Sequence, residues 1–200
     1  MGRKEVTRGK ILAAALAEFG KRGYDLASTN AMAEAAGVSK GVIFRHFGTK
    51  AELFFALFET EVDRMVQAVM SMTFPEGTPI LDKIATVMVW KLDYATAHPE
   101  TTHVLVEGLT HPPKGVEGKI YGLVGKLTST SFEGFFGDLP MEDIRPEFTR
   151  ADVMRNLRIA FAGLQAAYVD HNPDFALSET ARKECFAFIE SVYRGMERCR

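Results

Sequence analysis

Cysteine is scarce: the 200 residues contain two, Cys185 and Cys199. Two thiols near the C-terminal end make neither a disulfide framework nor a zinc-ligand pattern. They read as one small buried residue and one exposed thiol. No apolar run approaches the ~18 residues that span a bilayer as a helix, so no membrane partner is expected. The opening MGRKEVTRGK is too polar for the apolar region of a secretory signal, and a cytoplasmic location is the expectation. Two-residue apolar alternation is missing, which argues against a sheet. Also missing are an acid–base pair, a nucleophile elbow and a phosphate-binding glycine loop. No catalytic residue, cofactor or metal is therefore assigned.

What remains is an ordinary globular composition, 46% hydrophobic and 25% charged, in a chain long enough to bury a real core. The net charge of −2 hides an asymmetry. Residues 1–50 hold nine Lys/Arg against four acids, a balance of +5, and the rest of the chain carries −7. A basic first quarter on an acidic body points to a polyanion met by the N-terminal part alone.

Apolar residues recur at three- and four-residue steps throughout, so the predicted class is all-α, with about nine helices. They fall near 5–22, 28–35, 39–46, 49–72, 80–97, 100–109, 115–136, 147–171 and 177–198. Leu12, Ala15, Leu16 and Phe19 make the core stripe of the first, and Gly23 stops it. Gly118, Gly122, Gly125 and Gly134 weaken the seventh. In the last helix Ala181, Cys185, Phe188, Val192 and Met196 form one stripe, and Phe186, Ile189 and Tyr193 lie on another side. A helix apolar on two sides packs on its own core and on something else. A two-fold homodimer through the last two helices is the expectation.

Residues 28–47 read STNAMAEAAGVSKGVIFRHF: two short helices around Ala36-Gly37-Val38, the pattern of a helix-turn-helix. Gly37 supplies the left-handed conformation of the turn, and Ser39 is an N-cap for the second helix. At ~100° per residue, Gly41 and Arg45 point away from the core pair Ile43 and Phe47, with Val42 and Phe44 on the flanks. Lys40 can donate to guanine or to phosphate, Gly41 permits close approach, and Val42 offers an apolar surface to a thymine methyl. Arg45, His46 and Lys50 are placed for phosphates, as are Ser28 and Thr29 at the start of the preceding helix.

With those residues in view, positions 7–54 resemble the N-terminal domain of the TetR family of repressors. The telling pieces are Ile11-Leu12-x-Ala14-Ala15, Phe19-x-x-x-Gly23-Tyr24, Ala36-Gly37-Val38-Ser39-Lys40-Gly41 and Phe47-x-x-Lys50-x-x-Leu53. Three positions depart from the family pattern. Ala27 stands where Thr is usual and shifts capping toward Ser28. Met32 replaces Ile, a tolerable core change. Phe44 replaces Tyr and removes a hydroxyl that often touches phosphate.

The resemblance implies a DNA-binding domain over 1–50 and an effector-binding and dimerisation domain over 51–200. It further implies an operator-bound homodimer released by a small-molecule effector. By residue type, 80–170 offers Met88, Trp90, Tyr94, His103, Phe132, Phe135, Phe136, Phe161, Gln165 and Tyr168 to a hydrophobic or aromatic ligand. Trp90, Tyr94, His103, Phe161 and Gln165 are the chosen contacts. His103 and Glu107 have the spacing of two metal ligands on one helical face, but no third ligand matches. The long helix from residue 49 touches both halves and is the expected carrier of the switch. The alternative is a helical small-molecule carrier or enzyme whose motif binds no DNA.

Overall fold

Stretches rich in Ala and Leu, interrupted by Gly and Pro, fold into nine helices among the described residues. The computed structural model describes residues 2–136, 141–171 and 179–198. The side chains of Arg3, residues 128–136, Ala162, residues 165–171, Glu179, Ala181 and Arg182 lie outside that description, as does Cys199. The helices are α1 (Arg3–Leu26), α2 (Thr29–Ala36), α3 (Lys40–Phe47), α4 (Lys50–Met70), α5 (Ile80–Ala97), α6 (Pro99–Thr110), α7 (Glu117–Phe136), α8 (Arg150–His171) and α9 (Glu179–Arg194). None of the described helices is long and apolar enough to cross a membrane. Contacts divide the chain into two compact units, Met1–Gln67 with His98–Leu127 and Ala68–Ala97 with Thr128–Arg200. Residues 1–50 thus share their unit with most of α4, with α6 and with the first half of α7.

The first unit is built around the expected stripe of α1. Ile11, Leu12, Ala15 and Phe19 are buried together with Met32, Ala33 and Ala36 of α2, Ile43 and Phe47 of α3, and Leu53, Phe54, Leu57 and Phe58 of α4. Burying each large side chain of this kind is worth about 1.5–3 kcal/mol. The ring of Phe54 meets Phe19 edge-on at 5.2 Å and Tyr24 at 5.6 Å. Such edge-to-face pairs add specific geometry to plain burial. Met32 is fully buried, so the unbranched side chain fills its place in the core. Val116 and Ile120 of the α6–α7 region are buried in the same cluster, with Leu123, Val124 and Leu127 packed against it. That burial holds α7 helical through Gly118, Gly122 and Gly125, which lie on its exposed side.

Two glycines set how closely α6 approaches. A Cβ on Gly20 would lie 2.4 Å from the Glu100 Cβ and 2.7 Å from its Cα; one on Gly108 would lie 2.5 Å from the Phe58 ring. Pro99 starts α6 at a position whose N–H has no helical partner to lose. α1 keeps a break where the sequence placed its end: Gly23 has φ 70° and ψ 171°, and one further turn follows to Leu26.

The second unit buries Ile80 and Ile84 of α5, Val153, Leu157 and Ala160 of α8, and Ile189, Tyr193 and Met196 of the α9 region around Ile144. Thr149 and Asp152 start α8 three residues later than expected, through a reciprocal cap. The Asp152 N–H donates to Thr149 Oγ1 at 3.2 Å, and the Thr149 N–H donates to Asp152 Oδ2 at 2.9 Å. α9 ends at Arg194, earlier than the expected 198. The chain leaves the helix there because its next residues pair with the loop before α8. Arg145 N–H donates to the Met196 carbonyl at 2.9 Å and Arg198 N–H to the Asp143 carbonyl at 2.7 Å. The two proposed stripes of α9 also sort differently. Cys185, Ile189, Tyr193 and Met196 are buried, whereas Phe188 is 46% exposed.

Candidate nucleic-acid interface

The turn between α2 and α3 forms because Gly37 takes the left-handed conformation, φ 66° and ψ 36°. The Gly37 N–H then donates to the Glu34 carbonyl at 3.0 Å and the Val38 N–H to the Ala33 carbonyl at 2.9 Å. This pair of bonds satisfies carbonyls that the end of α2 would otherwise leave unpaired. At the other end of α2, Ser28 is the N-cap and its Oγ accepts from the Ala31 N–H at 3.4 Å. Ala27 is buried at the end of α1, so the capping shift read from the sequence is realised. Ser39 is the N-cap of α3, but its hydroxyl makes no cap hydrogen bond.

α3 is pinned from behind by the buried Ile43 and Phe47. Gly41 and Arg45 are exposed on the other side, Lys40 is exposed at the helix start, and Val42, Phe44 and His46 are half-buried along the flanks. The Lys40 ammonium lies 5.8 Å from the centre of the Phe44 ring, and the Arg8 guanidinium of α1 lies 5.6 Å from that of Phe47. Phe44 thus keeps an aromatic face for Lys40 although it has no hydroxyl. A Cβ on Gly41 would meet only Ser39 Oγ, at 3.8 Å. The smooth surface there is a matter of side-chain size alone.

Ser28 and Thr29 stand at the start of α2 as expected, Ser28 exposed and Thr29 half-buried. The Ser28 N–H donates to Glu18 Oε1 at 2.9 Å, which ties this corner to α1. Lys50 has a different attachment. Its ammonium donates to the Asp25 carbonyl at 3.3 Å and lies 4.7 Å from the centre of the Tyr24 ring. It therefore clamps the end of α1 to the start of α4 directly after α3. Thr49 caps that start, its Oγ1 accepting from the Glu52 N–H at 3.1 Å. Burial first, then the neighbouring Asp25 carboxylate, pushes the Tyr24 phenol above its ordinary range.

Two residues that the sequence reading passed over belong to this surface. Lys4 and Thr7 of α1 line an open groove of about 660 Å³ together with Val38, Val42, Arg45 and His46. Their three-residue spacing puts both on one face of α1. That spacing was visible in the sequence; which helix the face would meet was not.

The chosen effector contacts are divided between the two units. Trp90 and Tyr94 pair on α5 with ring centres 5.1 Å apart, and Phe161 packs against the core of the second unit. His103 belongs to the first unit, and its Nδ1 lies 2.7 Å from the Gly20 carbonyl. A carbonyl only accepts, so Nδ1 carries the hydrogen. Gln165, with Phe132, Phe135, Phe136 and Tyr168, lies outside the described side chains. Glu107 faces α1 as well, its Oε1 accepting from the Tyr24 N–H at 2.7 Å. The His103–Glu107 spacing thus serves two backbone groups of α1. Among the described residues no cluster of three or more His, Cys, Asp or Glu is arranged to hold a metal ion.

Residues 11–57 match the family model described as bacterial regulatory proteins, tetR family. The transcriptional activator FasR of Mycolicibacterium smegmatis is 41% identical over 66 residues, 33% of this chain and 30% of that protein. The transcriptional repressor KstR of the same species is 30% identical over 138 residues, 68% of this chain and 66% of that protein. The chain spans about a third of the length of the first curated relatives it matches. A crystal structure of a TetR-family transcriptional regulator from Streptomyces coelicolor superimposes with a TM-score of 0.67 at 19% identity, covering 96% of this chain and 80% of the other. That likeness extends the common fold beyond the matched head to nearly the whole chain. With its helix-turn-helix built and held as described, the chain belongs to the TetR family of bacterial regulatory proteins.

Proposed function

We propose that the protein is a transcriptional repressor that binds a palindromic DNA operator as a homodimer and leaves it when a small hydrophobic or aromatic molecule binds. The observation that carries the reading is the outer face of α3. Gly41 and Arg45 are exposed there, with Lys40 exposed at the helix start, on a helix fixed from behind by Ile43 and Phe47. A short helix rigidly presented, with donors and a bare backbone on its free side, suits base edges in the major groove. Repression rather than activation follows KstR, a repressor whose match covers far more of this chain than that of the activator FasR.

The dimer is supported by apolar surface on the last two helices. Ile159 of α8 is 61% exposed and Phe188 of α9 is 46% exposed, an arrangement that a two-fold contact would cover. For the effector, Trp90, Tyr94 and Phe161 supply aromatic surface in the second unit, and Gln165 follows Phe161 by one turn of α8. Release requires the effector to favour one conformation over another. α4 runs from the motif through the end of the first unit and into the second, so it is the element on which such a preference acts. His103 and Glu107 hold α6 to α1 and extend the route to the head.

The test is binding to an operator duplex selected from a random library. Lys40→Ala is expected to lower discrimination against other sequences by about 1–3 kcal/mol, as for loss of one base-reading contact. A wild-type protein that prefers no sequence would overturn the reading, in favour of a carrier or enzyme whose motif binds no DNA. A compound that saturates the protein yet leaves operator affinity unchanged would overturn release by that compound's class.

A further inference from the structure

We propose that the groove between the start of α1 and α3 seats a phosphodiester of the DNA backbone, with Lys4 as a contact that positions the recognition helix. The inference rests on the DNA-binding reading and adds a site to it. The lining decides the class of ligand. Lys4 and Arg45 bring two cations, His46 an imidazole and Thr7 a hydroxyl, together with the two valines Val38 and Val42, and among the described residues no carboxylate lines the groove. An anion held by several donors in an otherwise apolar groove is what this surface complements.

Position decides which anion. At ~100° per residue, Val42 and His46 form one flank of α3, and Lys40 with Phe44 forms the other; Arg45 and Gly41 lie between them. The groove is the Val42–His46 flank, shared with α1. A helix lying in the ~12 Å major groove has a sugar–phosphate backbone on each side. With the Gly41–Arg45 face toward the bases, the strand on this flank runs into the groove that Lys4 and His46 both line. Lys4 is exposed and lies on a helix whose register is fixed by the core stripe from Ile11 to Phe19. It therefore locates the phosphate relative to α3 and reads no base.

A backbone cation and a base-reading residue differ in their salt signature. Affinity of the full chain is measured against salt concentration for the selected operator duplex and for a random-sequence duplex. Lys4→Ala is expected to weaken both by the same factor and to flatten the logarithmic salt slope by about 0.9. Between about 50 and 200 mM salt, the wild type then loses about 3.5-fold more affinity than the variant. Lys4→Arg is expected to keep the wild-type slope, which shows that charge and not helix integrity is read. An unchanged slope in Lys4→Ala, with wild-type binding intact, overturns the site and leaves the DNA-binding reading standing. A loss confined to the operator duplex overturns the backbone assignment. A wild type that binds neither duplex overturns both the site and the reading beneath it.

Discussion

The carboxylate of Glu107 on α6 accepts the backbone N–H of Tyr24 on α1, at 2.7 Å, immediately after the break at Gly23. A Cβ on Gly23 would lie 3.2 Å from the same oxygen. The break therefore frees an N–H and also makes room for the acceptor that satisfies it. The second oxygen, Oε2, is buried without a hydrogen-bond partner. Glu107→Gln keeps an acceptor for Tyr24 and removes the charge, so its stability is expected within about 1 kcal/mol of wild type. Glu107→Ala leaves the N–H without its acceptor and is expected to cost about 1–3 kcal/mol. Urea unfolding of the two variants checks this; equal stability of the Ala variant and wild type would show that the tether contributes nothing.

The close approach of α6 makes a second comparison possible within α1. Gly20→Ala forces a Cβ against the Glu100 backbone at 2.7 Å, so the helices must move apart. The expected loss is about 1–3 kcal/mol, the usual range for overpacking. Gly9→Ala on the same helix meets nothing within 4 Å and is expected to gain about 0.8–1 kcal/mol from helix propensity. Thermal melts of both should move in opposite directions. If both rise, the α1–α6 contact is not as tight as described.

Much of the head was legible in the sequence because its signals are local. Gly37 with Ser39 marks a turn, Ile43 and Phe47 mark a buried face, and each follows from spacing within one or two helical turns. The groove at Lys4 and the attachment of Lys50 to Asp25 were not legible. Both depend on which distant helix a side chain meets. His103 shows the same limit: its residue type pointed to a ligand contact, and only its place on α6 reveals the Gly20 carbonyl as a hydrogen-bond partner. The end of α9 was missed for a related reason, since the pairing of Met196 and Arg198 with 143–145 competes with further helix.

Asp152 supplies a pH test of the second unit. Hydrogen bonds from the Thr149 side chain and backbone, then from Arg155, hold its carboxyl down to about 2 against an ordinary 3.8. A depressed folded-state value means that the cap stabilises fully above the ordinary range. Its contribution is lost as pH falls from about 4 through about 2. A carboxyl titration followed by NMR should give a midpoint near 2 for Asp152 in the wild type, moving up toward 3.8 in Thr149→Ala. A wild-type midpoint near the ordinary value would show that the cap does not form in solution.

Dimerisation is open to a test that separates assembly from folding. Ile159 and Phe188 are 61% and 46% exposed, whereas the neighbouring Leu157 and Ile189 are fully buried. A charge at an exposed position adds little strain to the subunit itself, but within a covered interface it is desolvated without a partner. Ile159→Glu and Phe188→Glu are therefore expected to keep the wild-type helical content while shifting sedimentation from dimer to monomer. Because two half-sites bound together gain from being linked, the same variants should lose affinity for a palindromic operator far more than for a single half-site. A variant that remains dimeric at the same protein concentration would place the two-fold contact on another face. One that is monomeric yet holds the palindrome as tightly as wild type would show that the two subunits do not bind it together.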